Sequence, residues 1–253
     1  MTDKKYIYLA IVVIIILVLC YLAYKYYYSN SKDNNQNHKQ NKNNDKNNLQ
    51  LLNQRFYDYK KVYPELEIFK DNKDKVFEEV NKINDNDWDD WPEKNLYTED
   101  MSWKVFPFFG FGIWIDHNCN KCPEISKIIK NIPNLRTASL SKLDPGTKLT
   151  PHQGWASLSN NVLRCHYGII VPDDCYIYVE SEKQQMLKNE IIVFDDSKIH
   201  SAGNFSNDER IVLILDIERP DFVEKGKSEC IDTQELLSFV KSFKMMNQNQ
   251  NKK

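Results

Sequence analysis

The chain has 253 residues, with 34 lysines and arginines against 36 aspartates and glutamates and a formal net charge of −2. That balance excludes the basic surface on which nucleic-acid binding depends, so no nucleic-acid partner is expected. Lysine and asparagine crowd towards the ends, leaving a middle of roughly two hundred residues, enough to bury a sizeable core.

Tyr6 to Ala23 is an apolar run, YIYLAIVVIIILVLCYLA, with no charge between Lys5 and Lys25. At about 1.5 Å per residue it just crosses a hydrocarbon core of about 30 Å. Tyr6 and Tyr8 at one end and Tyr21, Tyr24 and Tyr26 at the other suit the two membrane interfaces. A cleaved signal peptide is the alternative, but the small-residue cleavage pattern is missing. The expectation is therefore a retained single-pass anchor over residues 1–28, held in the membrane through residues 6–24. The expected location is an endoplasmic-reticulum-type membrane with the rest of the chain luminal. Lys4 and Lys5 before the run and Lys25, Lys32 and Lys39 after it nearly balance, so charge alone leaves the orientation open.

Residues 29–48 are almost wholly Asn, Lys, Asp, Gln and Ser and read as a disordered tether. From Leu49 to Asn84 apolar residues recur at helical spacing, as in Leu52, Phe56 and Tyr59, then Phe69, Val76, Val80 and Ile83, which predicts one or two amphipathic helices. The stretch WDDWPEKNLY reads as an irregular connection around Pro92, with no function attached to it. From Trp103 onward the pattern turns to β-branched and aromatic runs: WKVFPFFGFGIWI, LRTASLSKL, VLRCHYGIIV, CYIYVE, EIIVF and RIVLILDI. Turn chemistry such as LDPGT and VPDD separates them, and a helix, ISKIIKNI, interrupts the first two. TQELLSFVKSFKMM predicts a C-terminal helix with Leu236, Leu237, Val240 and Phe243 on one face, and residues 247–253 a disordered tail. One domain over residues 49–246 is expected, mainly β, an antiparallel barrel or jelly roll flanked by helices.

His152 and His200 each follow a turn or strand end, where loops at a barrel mouth converge. Two imidazoles suit iron, zinc, copper or nickel. Satisfied structural histidines are the alternative. In the usual non-haem iron triad a carboxylate stands two residues after the first histidine, and here that place is Gly154. Arg164 and His166 are two apart in one predicted strand, so they share a face, and Arg210 opens another strand. A guanidinium matches a carboxylate fork to fork, so these three suit a small dicarboxylate beside a metal. Salt bridges to Asp195, Asp196 or Asp216 account for the arginines equally well. Asp195 and Asp196, just before His200, suit orientation of an imidazole, a solvated turn or an arginine partner. Cys165 alternates with Arg164 and His166 and should pack on the opposite side.

The ordered set PHxG, LRxHxGxxxP, FDDSxxH and RxxLxxD resembles the aspartyl/asparaginyl β-hydroxylase family of 2-oxoglutarate- and iron(II)-dependent dioxygenases, over residues 100 to about 222. The resemblance implies a double-stranded β-helix (jelly-roll) core with flanking helices, here preceded by a single transmembrane helix. It implies His152 and His200 as the catalytic iron ligands, with Gly154 where the family also lacks the carboxylate. Ser141, Arg164, His166 and Arg210 match co-substrate contacts, Arg210 for the distal carboxylate. Fe(II), 2-oxoglutarate and O2 would be the cofactors, and aspartyl or asparaginyl side chains in a protein or peptide the substrate. A lipid acyl chain is the alternative substrate, and a non-catalytic binding module on the same fold is a reading from another class. This chain departs from the family in a longer stretch between Gly154 and Arg164, and in Phe108 or Phe109 where a family tryptophan joins the co-substrate pocket.

Cys119 and Cys122 form CNKC, where the family has a more widely spaced disulfide; a disulfide, free thiols or, with His117, half a zinc site are the readings. Asn204 opens NFS, a glycosylation acceptor pattern.

Overall fold

The polypeptide alternates between two antiparallel sheets, and that alternation puts the candidate residues in one interior. A computed structural model describes residues 51–98 and 101–250. The expected anchor and tether lie outside the described residues, and among those described no helix is long and apolar enough to cross a membrane. Strand β1 (Phe56–Tyr57) leads into helices α1 (Tyr59–Val62), α2 (Glu67–Asp71) and α3 (Lys73–Val80), then β2 (Asp89–Asp90), β3 (Trp103–Gly110) and β4 (Ile113–Trp114). Helices α4 (Asp116–Lys121) and α5 (Pro123–Ile129) precede β5 (Leu135–Leu143), α6 (Ala156–Ser159), β6 (Val162–Ile170), β7 (Cys175–Val179) and β8 (Glu182–Gln185). β9 (Ile191–Phe194), β10 (His200–Asn204), β11 (Arg210–Glu218) and α7 (Gln234–Gln250) complete the order.

The larger sheet runs β1-β9-β6-β11-β5-β3-β2 with β4 on β3, and the smaller runs β10-β7-β8. After β6 in the larger sheet the chain crosses to the smaller one for β7 and β8, returns for β9, crosses again for β10 and returns for β11. Residues 148–152 continue the smaller sheet beside β10 through bridges Lys148↔Gly203 and His152↔His200. This is the jelly-roll topology expected from the runs of short strands.

The register fixes which side chains share a face. Arg164 pairs with Asp216, His166 with Ile214, Val212 with Ser141 and Arg210 with Leu143, so these point between the sheets. Their neighbours Leu140, Leu163, Cys165, Tyr167, Leu213 and Leu215 face the other way and form one apolar core with Leu66, Phe69, Val76, Ile125 and Ile129 of the helical segments. Cys165 is thus packing, as the alternation predicts. Pro107 has no N–H to donate, and the β3–β5 register shifts between Pro107 and Phe109. Phe106 and Phe108 consequently meet in the same outer core, ring centroids 5.3 Å apart.

Two local expectations change. The C-terminal helix buries Leu236 and Phe243 and turns Phe239 inward, while Leu237 is exposed, because consecutive helical residues lie about 100° apart. The helix also runs past residue 246, into the expected tail.

Candidate active site

Backbone hydrogen bonds in both directions join His152 to His200, at 2.9 and 2.8 Å, and bring their rings to a centroid separation of 4.4 Å. Each imidazole is oriented by its own strand: His152 Nδ1 donates to Thr150 O at 2.7 Å and His200 Nδ1 to Lys198 O at 2.9 Å. With Nδ1 carrying the proton, the Nε2 lone pairs are left free, the state in which imidazole binds a metal. Burial holds His152 below the ordinary range and His200 well below it, and their proximity adds to the effect on His200. Both are therefore neutral near pH 7.

The place of Gly154 is filled from elsewhere in the chain. A Cβ on Gly154 would lie 1.7 Å from Asp196 Oδ2 and 2.8 Å from Ser159 Cβ. The Asp196 carboxylate thus occupies the space a side chain at 154 would need, and its Oδ1 stands 3.4 Å from His200 Nε2. Among the described residues no set of three or more His, Cys, Asp or Glu side chains is placed to hold a metal, so Asp196 is a neighbour of the histidine pair. Asp195, by contrast, pairs with Arg219 and accepts from Ser197, so of the adjacent aspartates only Asp196 faces the histidines.

The two arginines have different fates. Arg164 donates through Nε and Nη2 to the Asp216 carboxylate at 2.8 and 3.0 Å, and its Nη1 stands 2.6 Å from Asp196 Oδ1. Burial lowers its pKa, but the two carboxylates outweigh that and raise it. One guanidinium serves two carboxylates: burial raises Asp196, Arg164 pulls it back, and Asp216 pushes it up again. The salt-bridge reading holds for Arg164.

Arg210 is 1 % exposed, and among the described residues no carboxylate pairs with it. Its Nη2 reaches Ser141 Oγ and its Nη1 the Met186 thioether, both at 3.4 Å, while Nε is unpaired. Burial pulls its pKa down to about 10. His166 is also buried, and among the described residues neither of its ring nitrogens finds a hydrogen-bond partner. Burial first, and then Arg210, Arg164 and His200, hold it neutral.

Trp103 enters here without having been singled out in the sequence. Its Nε1 donates to Ser141 Oγ at 3.0 Å, whereas Phe108 lies in the outer core, so an indole does border the candidate pocket. Having accepted from Trp103 and Arg210, Ser141 keeps its own proton to donate to a ligand.

A cavity of about 460 Å³ adjoins this centre, lined by Ser141, His152, Gly154 and Arg164 together with Trp91, Trp103, Trp155, Phe109, Phe239 and Phe243. Arg210, His166 and His200 are not among its lining residues. Trp91 stacks on Trp103 at 4.6 Å and on Trp155 at 5.7 Å, so the connection given no function in the sequence lines the cavity.

Two other motifs resolve. Asn204 is fully buried; its Nδ2 donates to the carbonyls of Leu143, Asp144 and Asp208, and its Oδ1 accepts from Ser206. It ties a turn together and offers no free amide to a glycan. Cys119 and Cys122 are free, buried thiols, and burial raises Cys122 to about 12. His117 is exposed, and no zinc cluster forms among the described residues.

Residues 70–220 match the family model described as Aspartyl/Asparaginyl beta-hydroxylase. An ornithine lipid ester-linked acyl 2-hydroxylase from Rhizobium tropici is 36% identical over 124 residues, covering 48% of this chain and 43% of that protein. Aspartate beta-hydroxylase domain-containing protein 2 from Mus musculus is 29% identical over 144 residues, covering 53% and 41%. The chain thus spans less than half the length of either relative. A solved 2OG-Fe(II) oxygenase-family oxidoreductase from Burkholderia pseudomallei aligns at 8% identity and TM-score 0.42, over 60% of this chain and 80% of that one.

Proposed function

The chain belongs to the aspartyl/asparaginyl β-hydroxylase family, and we propose on that footing that it is a 2-oxoglutarate- and iron(II)-dependent dioxygenase. The observation that carries this is Arg210: a buried guanidinium with only a hydroxyl and a thioether beside it is costly, and a carboxylate ligand would complete it. Ser141 would donate its free proton to the same carboxylate, and His166 offers two unsatisfied nitrogens nearby. His152 and His200 would hold iron(II) through Nε2. Asp196 supplies negative charge beside them, and a bound divalent cation would keep it ionised.

When bound, iron(II) and 2-oxoglutarate supply the oxidising chemistry: O2 is consumed, the 2-oxo acid becomes succinate and carbon dioxide, and one oxygen atom enters a substrate C–H bond. This chain's residues position the reactants and keep water out. The aromatic wall of the cavity serves the second task.

Two substrate classes are carried by the names of the relatives, aspartyl or asparaginyl side chains and a lipid acyl chain. The cavity favours the acyl chain. Its wall is largely aromatic and aliphatic, and its arginine, Arg164, is already neutralised, so an aspartyl carboxylate would find no free cation. The membrane anchor expected over residues 6–24 would bring the domain to the bilayer and serve either substrate class.

The test measures succinate released from 2-oxoglutarate with iron(II), ascorbate and either lipid or peptide substrates, with mass spectrometry of the products. His200→Ala should remove iron binding. Absence of both iron and 2-oxoglutarate binding in the native protein would end this reading; an oxidised Asp or Asn peptide with untouched lipids would move the substrate to the other class.

A further inference from the structure

One buried charge is not used by the oxygenase reading. Glu93 is 7 % exposed and lines the cavity. Its Oε1 accepts from Trp155 Nε1 at 3.1 Å and from Thr233 Oγ1 at 2.9 Å, both neutral donors. Among the described residues no lysine, arginine or histidine stands within ion-pair distance of it, and its charge is felt by the cavity's His152 only at longer range. Other buried charges are accounted for: Lys142 is flanked by Asp85 and Glu209, Asp195 by Arg219, and Glu79 accepts the backbone N–H groups of Glu124 and Ile125 at the start of α5.

A carboxylate taken out of water with only neutral donors on one oxygen is costly, and buried carboxylates are normally held by a cation. Glu93 stands against the Trp91–Trp155 stack, and indole faces attract cations. Of the other charged side chains in the cavity wall, Arg164 is shared between Asp216 and the adjoining Asp196, so no cation there is left over for Glu93.

We infer that the cavity recognises a substrate bearing a positively charged nitrogen, an ammonium or guanidinium, with Glu93 as its counter-ion and the Trp91, Trp103 and Trp155 wall taking the adjoining apolar chain. This deepens the oxygenase reading of the same cavity and rests on it for the word substrate. Glu93 is a specificity residue: it selects and orients the molecule whose C–H is presented to the histidine pair. A cation of this kind comes from a lipid headgroup or from a basic peptide side chain, and the probes separate the two.

The experiment compares decylamine, decanol and decanoate, below their micelle concentrations, and N-acetyl-lysinamide, by calorimetry and tryptophan fluorescence on the full chain without iron or 2-oxoglutarate. The three decyl probes share one chain, so the apolar contribution cancels. Decylamine should bind about tenfold or more tighter than decanol, and decanoate weakest. Glu93→Gln should erase that order, while Trp155→Phe, which removes a donor but keeps the charge, should preserve it. Tight lysinamide binding with the same dependence on Glu93 assigns the cation to a peptide; decylamine alone assigns it to a lipid. Equal binding of decylamine and decanol, or an order that survives Glu93→Gln, overturns the proposal. If Glu93→Gln does not fold, the native probe series decides. Because no iron or 2-oxoglutarate is present, failure here leaves succinate release untouched, and failure there leaves these affinities untouched.

Discussion

The two faces of the larger sheet are built from alternate residues of the same strands. On the outer face, Leu140, Leu163, Cys165, Leu213 and Leu215 pack against helices, and each needs only to be apolar and of the right volume. On the inner face, Ser141, Arg164, His166, Arg210 and Asp216 are each placed by a particular partner or by the lack of one. The outer face supplies stability. The inner face spends some of it on a centre that only a ligand completes.

The sharpest way to break this contrast is Arg210→Met. It removes an uncompensated buried cation and leaves an apolar side chain of similar reach beside Met186 and Val212. Affinity for 2-oxoglutarate should fall about thirtyfold or more, measured by calorimetry, since losing one partner of a desolvated charge pair costs at least about 2 kcal/mol. The melting temperature should hold or rise. A variant that melts early yet still binds the co-substrate would erase the distinction between the faces.

Leu213→Ala, on the outer face of the same strand, should behave in the opposite way. A fully buried leucine truncated to alanine costs about 2–5 kcal/mol, read from denaturant unfolding. The affinity of the molecules that remain folded should not change. Altered co-substrate binding would mean that the faces are mechanically coupled.

Titration sharpens the comparison with the smallest effect, about 1.4 kcal/mol per pH unit for each net proton. Burial lowers His152, His166 and His200 from their ordinary 6.5, so below that pH the unfolded chain takes up protons that the folded chain refuses. Metal-free stability should therefore fall on acidification below about 6.5. Asp196, raised from 3.8, opposes this with one proton of its own. Cys165 on the outer face is raised above 9.0, so the folded chain keeps a proton that the unfolded chain releases, and stability should fall as pH rises past 9.0. His166→Gln should flatten the acid limb and Cys165→Ala the alkaline one; an acid limb unmoved by His166→Gln would remove that residue from the balance.

Much of this protein was legible in its sequence because it depends on local period. Alternation in VLRCHYGII put Arg164 and His166 on one face and Cys165 on the other, and turn signals between short β-branched runs announced a jelly roll. The pairing of His152 with His200 followed from resemblance to a family motif, and the structure brings the two rings together. Other features needed the tertiary fold. No spacing rule shows that Asp196 fills the room beside Gly154, that Asp216 and Asp196 claim Arg164 while Arg210 stays alone, or that Glu93 reaches Trp155 and Thr233. The NFS pattern became a buried hydrogen-bonded turn, and Phe239 took the inward place expected of Leu237. A strand's period decides which way a side chain points; which charge it meets depends on residues far along the chain that only packing brings within a few ångströms.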